Sequence, residues 1–156
     1  MPHSASSQYK NNNNKAHVHA PNSQYILIVD DEPDILSIIR RVLEEYGFNV
    51  CCFTKPNIAL EHYKTSPNNH GLVISDLQMP NINGLEFLRK VREINSHTKA
   101  FLTTSNFEMS DLGLLLLPNK SNSYSSLNNL IIDEFIQKPF SIEQLIVLIR
   151  KHALST

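Results

Sequence analysis

A chain of 156 residues with 41% apolar and 19% charged side chains is long enough for one domain with a sizeable core. A formal net charge of −1 is not the basic footprint of a nucleic-acid binder, and no apolar run approaches the roughly 20 residues needed to cross a bilayer. The start, MPHSASSQYK, lacks the apolar segment of a secretory signal, and the two cysteines, Cys51 and Cys52, are adjacent in a strand-like run that sends them to opposite faces, where they cannot readily bridge. The expected compartment is the cytoplasm.

Residues 1–23 are rich in Ser, Asn and His, with Asn11 to Asn14 in a row, and hold too little apolar surface to repay ordering. They are expected to form a disordered polar tail; among His3, His17 and His19, the His17-Val18-His19 triplet offers at most a weak metal site. Lys10 and Lys15 are the tail's only charges, so the remaining 12 basic and 15 acidic residues leave the body at −3. The domain is expected over 24–156.

Tyr25 to Val29 is a continuous apolar, β-branched run, as in a strand buried on both faces, and it ends on Asp30-Asp31-Glu32. Pro33 opens a helix with Ile35, Ile38, Ile39, Val42, Leu43 and Tyr46 at helical spacing, closed by Gly47. Phe48 to Phe53 reads as a second strand. A second helix from Pro56 carries Ile58, Leu60 and Tyr63 and stops near Ser66-Pro67. Leu72 to Ser75 forms a third strand ending on Asp76. After a Pro/Asn/Gly turn, a third helix carries Leu85, Leu88, Val91 and Ile94, with Asn83 and Glu86 spaced as a capping box. Lys99 to Thr104 is the fourth strand, and Phe107 to Leu117 a fourth helix ended by Pro118. An Asn/Ser loop covers Asn119 to Asn129, followed by a fifth strand over Ile131 to Gln137. Ser141 and Gln144 cap a last helix with Ile142, Leu145, Ile146, Leu148 and Ile149. Five alternations of strand and helix predict an α/β fold: a parallel sheet covered on both faces, with right-handed crossovers.

In such a sheet, ligands bind at the strand exits. Here those exits carry Asp30 and Asp31, then Asp76, then Thr103 and Thr104, then Lys138. Converging carboxylates repel unless a cation joins them, and a hard oxygen donor set suits Mg²⁺. A hydroxyl and an ammonium beside an acid and a metal form an anion site of phosphoryl size. Asp76 is the candidate nucleophile, because a carboxylate can attack a phosphoryl group to give an aspartyl-phosphate. Each element taken singly has a plainer explanation, such as a helix cap, a dipole partner or a loop. Their conjunction at four strand exits does not.

The segments ILIVDDEPDIL, VISDLQMPNINGLEFL, FLTTS and FIQKPF, spread over Tyr25 to Ala153, resemble the receiver domain of two-component response regulators. The resemblance implies a flavodoxin-like, doubly wound sheet of strand order 2-1-3-4-5. It further implies Asp76 as phosphoacceptor, Asp30 and Asp31 as the acidic pair for Mg²⁺, and Gln78 as donor of a backbone carbonyl to the metal. Lys138 would contact the phosphoryl group. Thr104, with Thr103 as runner-up, would be the switch hydroxyl, and Phe135 would hold the aromatic switch position. The expected partners are a histidine kinase or phosphotransfer protein, and a downstream protein reading the face of the fourth helix, fifth strand and last helix, with no nucleic acid or membrane. Gln78 and Asn106 would tune phosphoryl lifetime. The segment 113–130 departs from the family by its length, and Leu114 to Leu117 place four leucines in a row. A helix packed on the sheet with one exposed leucine is the simpler account; a partner or dimer surface is the sharper one.

A stand-alone receiver that signals by protein contact is the expected function. A degenerate, phosphorylation-independent binding module is opposed by the intact Asp30, Asp31, Asp76 and Lys138. A phosphatase of the haloacid dehalogenase type would carry a second acid two residues after the nucleophile, where this chain has Gln78.

Overall fold

The computed structural model describes residues 24–106 and 132–153. The predicted tail, the predicted fourth helix and the Asn119–Asn129 loop, and with them segment 113–130, lie outside these residues. The described elements are β1 (Tyr25–Val29), α1 (Pro33–Glu45), β2 (Asn49–Phe53), α2 (Pro56–Thr65), β3 (His70–Asp76), α3 (Gly84–Ile94), β4 (Lys99–Thr104), β5 (Glu134–Gln137) and α4 (Ile142–Ala153), with a 3-10 turn at Pro67–Asn69. All strand pairs are parallel, in the order β2-β1-β3-β4-β5. No helix among the described residues is long and apolar enough to cross a membrane.

Period-2 alternation in strands that are apolar throughout divides the core in two. Leu27, Val29, Val73, Ala100 and Leu102 face α2 and α3, meeting Ala59, Leu60, Tyr63, Phe87, Leu88 and Val91. Ile26, Ile28, Val50, Leu72, Ile74, Phe101 and Ile136 face α1 and α4, meeting Leu36, Ile39, Leu43, Leu145, Ile146 and Ile149. Cys51 packs at the edge of the first cluster and Cys52 at the edge of the second, so the two thiols are on opposite faces and free.

The helix ends show how local sequence sets the element bounds. Gly47, at φ +87°, donates its amide to the Glu44 carbonyl, and Phe48 donates to Leu43 (both 3.0 Å), a paired closure that needs the left-handed glycine. Phe48 is thereby spent on the helix, which is why β2 begins at Asn49. Ser141 and Gln144 cap α4 reciprocally, each side chain bonding the other's amide. Asn83 caps α3 by accepting from the Glu86 amide at 2.9 Å.

In three helices part of the predicted apolar stripe is exposed, while Ile39, Leu43, Leu60, Tyr63, Leu85, Leu88 and Val91 are buried as predicted. In α1 the buried residues include Leu36, while Ile38 is 54% exposed and Tyr46 50%. In α2, Ile58 is 51% exposed and Ala59 is buried instead. Ile94 is also exposed at the end of α3. These helices carry apolar residues on more than one side, so spacing alone underdetermines how wide the docking face is.

β5 is shorter than predicted, beginning at Glu134. Asp133 is occupied otherwise: its N–H donates to the Ala100 carbonyl of β4 at 2.7 Å while its side-chain carboxylate, not its carbonyl, accepts the Ala100 amide at 2.8 Å. The same carboxylate pairs with Arg92 of α3 and with Lys99 Nζ at 3.4 Å. Asp133→Ala would leave the Ala100 amide and Arg92 without this partner in a half-buried site. We expect a loss of about 2–3 kcal/mol in urea unfolding. An unchanged midpoint would show the cluster to be ornamental.

Candidate functional site

Asp30 follows β1 and Asp76 ends β3, and because these strands are neighbours their carboxylates converge. Both are buried, at 3% and 6% exposed. Lys138, just past β5, places Nζ 2.7 Å from Asp30 Oδ2 and 3.0 Å from Asp76 Oδ1. The remaining oxygens are held by backbone: the Glu32 amide donates to Asp30 Oδ1 and the Gln78 amide to Asp76 Oδ2, each at 3.0 Å. Both carboxylate planes are thus fixed.

Burial pushes the Asp76 carboxyl above its ordinary range, and the charge of Asp30 adds to this; the Lys138 ammonium and the Gln78 amide pull the other way without cancelling it. Burial also works against the Lys138 ammonium, but its bonds to Asp30 and Asp76 outweigh that and raise its pKa. Lys138 is therefore a fixed cation, and Asp76 a carboxylate whose charge is costly in the resting site.

The loop after Asp76 is folded back tightly. Leu77 donates to the Thr103 carbonyl at 2.7 Å and Gly84 to the Leu77 carbonyl at 2.9 Å, with Asn81 at φ +72° between them. Gly84 abuts Asp76 itself: a Cβ there would lie 2.1 Å from the Asp76 carbonyl oxygen and 2.8 Å from its carbon. Only glycine fits. The sequence reading passed over this residue, because a glycine in the first turn of a helix looks like loop chemistry until the strand end beside it is seen.

Of the site residues expected from sequence, Asp30, Asp76 and Lys138 are in direct contact. Asp31 is exposed next to Asp30, and Gln78 and Asn106 are exposed. Thr103 stands beside Asp76 in the β3–β4 register and, with Asp30, Ile74 and Phe140, lines a small pocket on the α1/α4 side. Thr104 is buried and alternates to the other side, where its hydroxyl donates to the Asn106 carbonyl at 2.9 Å. Phe135, the register partner of Leu102, packs on that same side. The two threonines are therefore divided between the faces. Asp30 and Asp76, with Asp31 adjacent, form an all-oxygen, acidic donor set that fits a hard divalent cation such as Mg²⁺.

The 2-1-3-4-5 sheet carries a lysine-bridged pair of buried carboxylates at its strand exits, and residues 26–117 match the family described as the response regulator receiver domain. The chain belongs to that family: it is a receiver domain of two-component signalling, a phosphoacceptor module rather than a conventional enzyme. The response regulator ArlR of Staphylococcus haemolyticus is 32% identical over 127 residues, which cover 80% of this chain and 50% of ArlR. The chain spans about half the length of the curated relatives it matches. Among solved structures, a receiver domain protein from Clostridium thermocellum superposes with a TM-score of 0.70 at 24% identity, covering 83% of this chain and 93% of that one. The response regulator TrrA of Thermotoga maritima, solved in complex with Mg²⁺ and BeF, gives 0.64 at 29% identity, covering 83% and 98%. The family match ends at Leu117, so it does not reach Lys138; the structure itself brings that lysine to the acids.

Proposed function

We propose that this receiver accepts a phosphoryl group on Asp76 from a histidine kinase or phosphotransfer protein and signals through altered protein contacts. The observation that carries this is Lys138 Nζ held between the buried Asp30 and Asp76 carboxylates at 2.7 and 3.0 Å. A carboxylate oxygen of Asp76 attacks phosphorus, a P–O bond forms, and the P–N bond to the donor imidazole breaks. The Lys138 ammonium is fixed where charge gathers on the transferring oxygens and needs no reorganisation to meet it. The Gln78 amide, by holding Oδ2, fixes the direction of attack. Asp30, Asp31, Asp76 and the Gln78 backbone carbonyl would hold Mg²⁺, which supplies neutralising charge when bound. The Mg²⁺–BeF complex of TrrA supports this assignment.

Thr104 is the proposed switch hydroxyl, since it shares a sheet face with Phe135 and Thr103 does not. Thr104→Ala should leave uptake intact while shrinking the phosphorylation-dependent NMR shift changes at Phe135. A full-sized response in the variant would return the role to Thr103.

The test of acceptance is intact mass after incubation with Mg²⁺ and a small acyl-phosphate donor. One phosphoryl adduct is expected, and none when the metal is chelated before the donor is added. A chain that stays unmodified would be a phosphorylation-independent binding module.

A further inference from the structure

At the other end of the sheet a second cluster of metal-binding groups comes together. The Cys51 Sγ of β2, a ring nitrogen of His62 on α2 and a ring nitrogen of His70 at the start of β3 all lie within 4.8 Å of one another. We propose that these three residues form a binding site for Zn²⁺, with water as the fourth ligand.

The chemistry of the donors favours this metal. One thiolate and two imidazoles form a borderline-soft set that discriminates against Mg²⁺ and Ca²⁺. The geometry is close to assembled. Tetrahedral bonds of about 2.0–2.3 Å place ligand atoms about 3.3–3.6 Å apart, so the cluster must close by roughly 1 Å. His62 can supply that movement, because its side chain is exposed and leaves an entry path, whereas His70 is buried and fixed.

His70 is also prepared electronically. Its Nδ1 lies 3.0 Å from the Ser66 carbonyl, which can only accept, so Nδ1 carries the proton and Nε2 keeps a lone pair. A ligating histidine held through its other nitrogen by a carbonyl is the usual outer-shell arrangement of metal sites. Burial, first, and the nearby His62 lower the His70 pKa, which keeps the ring neutral as a ligand must be. Burial pushes the Cys51 thiol up to about 11 and the thiol donates to the Ile26 carbonyl at 3.7 Å, so without metal it remains protonated. On binding, the S–H bond breaks, its proton passes to water, and a Zn–S bond forms.

The site would tie β2, α2 and β3 together. His70 is the first residue of β3 and Asp76 the last, which separates the metal from the phosphoacceptor by about 20 Å at the rise of a strand. The two sites are therefore testable independently.

The test uses the full chain with His3, His17 and His19 replaced by Ala, which removes the tail as a competing ligand. Co²⁺ is titrated in as an optical stand-in for Zn²⁺ under reducing conditions. One equivalent should produce a thiolate-to-cobalt charge-transfer band with tetrahedral visible bands, and Zn²⁺ should erase both and raise Tm. Cys51→Ser should abolish the charge-transfer band, Cys52→Ser should leave it, and His62→Ala, at an exposed position, should weaken Co²⁺ binding by about tenfold or more. Phosphoryl uptake at Asp76 reports that each variant is folded. No charge-transfer band in the parent, or one that survives Cys51→Ser, would overturn the proposal.

Discussion

Asp76→Asn is expected to abolish the phosphoryl adduct while leaving the fold at least as stable as before. The amide cannot serve as the nucleophile, so uptake should fall to background. Stability follows from the electrostatics of the resting site. Burial and the neighbouring Asp30 charge raise the Asp76 pKa, so the native state binds a proton at Asp76 more tightly than the unfolded chain does. Where the native state binds more protons, stability falls as pH rises. The loss therefore accumulates as pH climbs from the ordinary aspartate range through the raised native value, and persists above it. Asn does not ionise and escapes this loss, while Lys138 keeps Asp30 as its partner at 2.7 Å and is not left as an unpaired buried charge. The variant should match or exceed wild type at neutral pH, with the difference shrinking on acidification. Urea unfolding at pH 7 and about pH 4 measures both ends of that range. A variant clearly less stable than wild type at pH 7 would mean that attraction to Lys138 dominates the site.

Gly84→Ala should be the most damaging of the small substitutions. In an open helix the change would stabilise by about 1 kcal/mol, since Ala is the better helix former. Here the added carbon would sit 2.1 Å from the Asp76 carbonyl oxygen and 3.0 Å from Leu102 Cδ1. The first contact is with backbone and cannot be relieved by a rotamer change. Either α3 moves off the sheet or the end of β3 is displaced, at a net cost of about 2–3 kcal/mol. Displacement of the acceptor by even about 1 Å should slow phosphoryl uptake by roughly 100-fold. Two other glycines serve as controls. Gly71→Ala meets the flexible Gln24 side chain, which can swing away. Gly47→Ala meets nothing within 4 Å and costs only the strain of φ +87°. Both should retain normal uptake. If Gly84→Ala does too, the close approach to Asp76 has no catalytic consequence.

Much of the fold was legible because these strands are read through local chemistry. Lys99–Thr104 appears with its predicted bounds, since an apolar run ending in hydroxyls admits one reading. The paired Asp30 and Asp76 were legible as strand exits, and their contact with Lys138 followed from sheet order. What failed to appear was tertiary in origin. The start of β5 was misplaced because Asp133 serves Ala100 and Arg92, partners 33 and 41 residues away. The stripe of α1 was drawn too wide: Ile39 and Leu43 dock as predicted, but Ile38 and Tyr46 are exposed and Leu36 is buried beside them. Gly84 was invisible as a site residue because its significance is an empty space beside another residue's carbonyl. Cys51, His62 and His70 carry no local signal that joins them; only the packing of α2 on the sheet brings them together.

The 108-residue separation of Asp30 from Lys138 gives the site a history as well as a geometry. A ribosome delivers about 5–20 residues per second, so both acids are made seconds before the lysine that reconciles them. Until β5 docks, β1 and β3 must bring two carboxylates together with no built-in counter-ion, and their repulsion opposes closing that end of the sheet. Arrival of Lys138 removes the opposition. If Asp76 accepts phosphate as proposed, a nascent or partly unfolded chain is expected to accept it poorly, and full competence to come only with completion of the sheet.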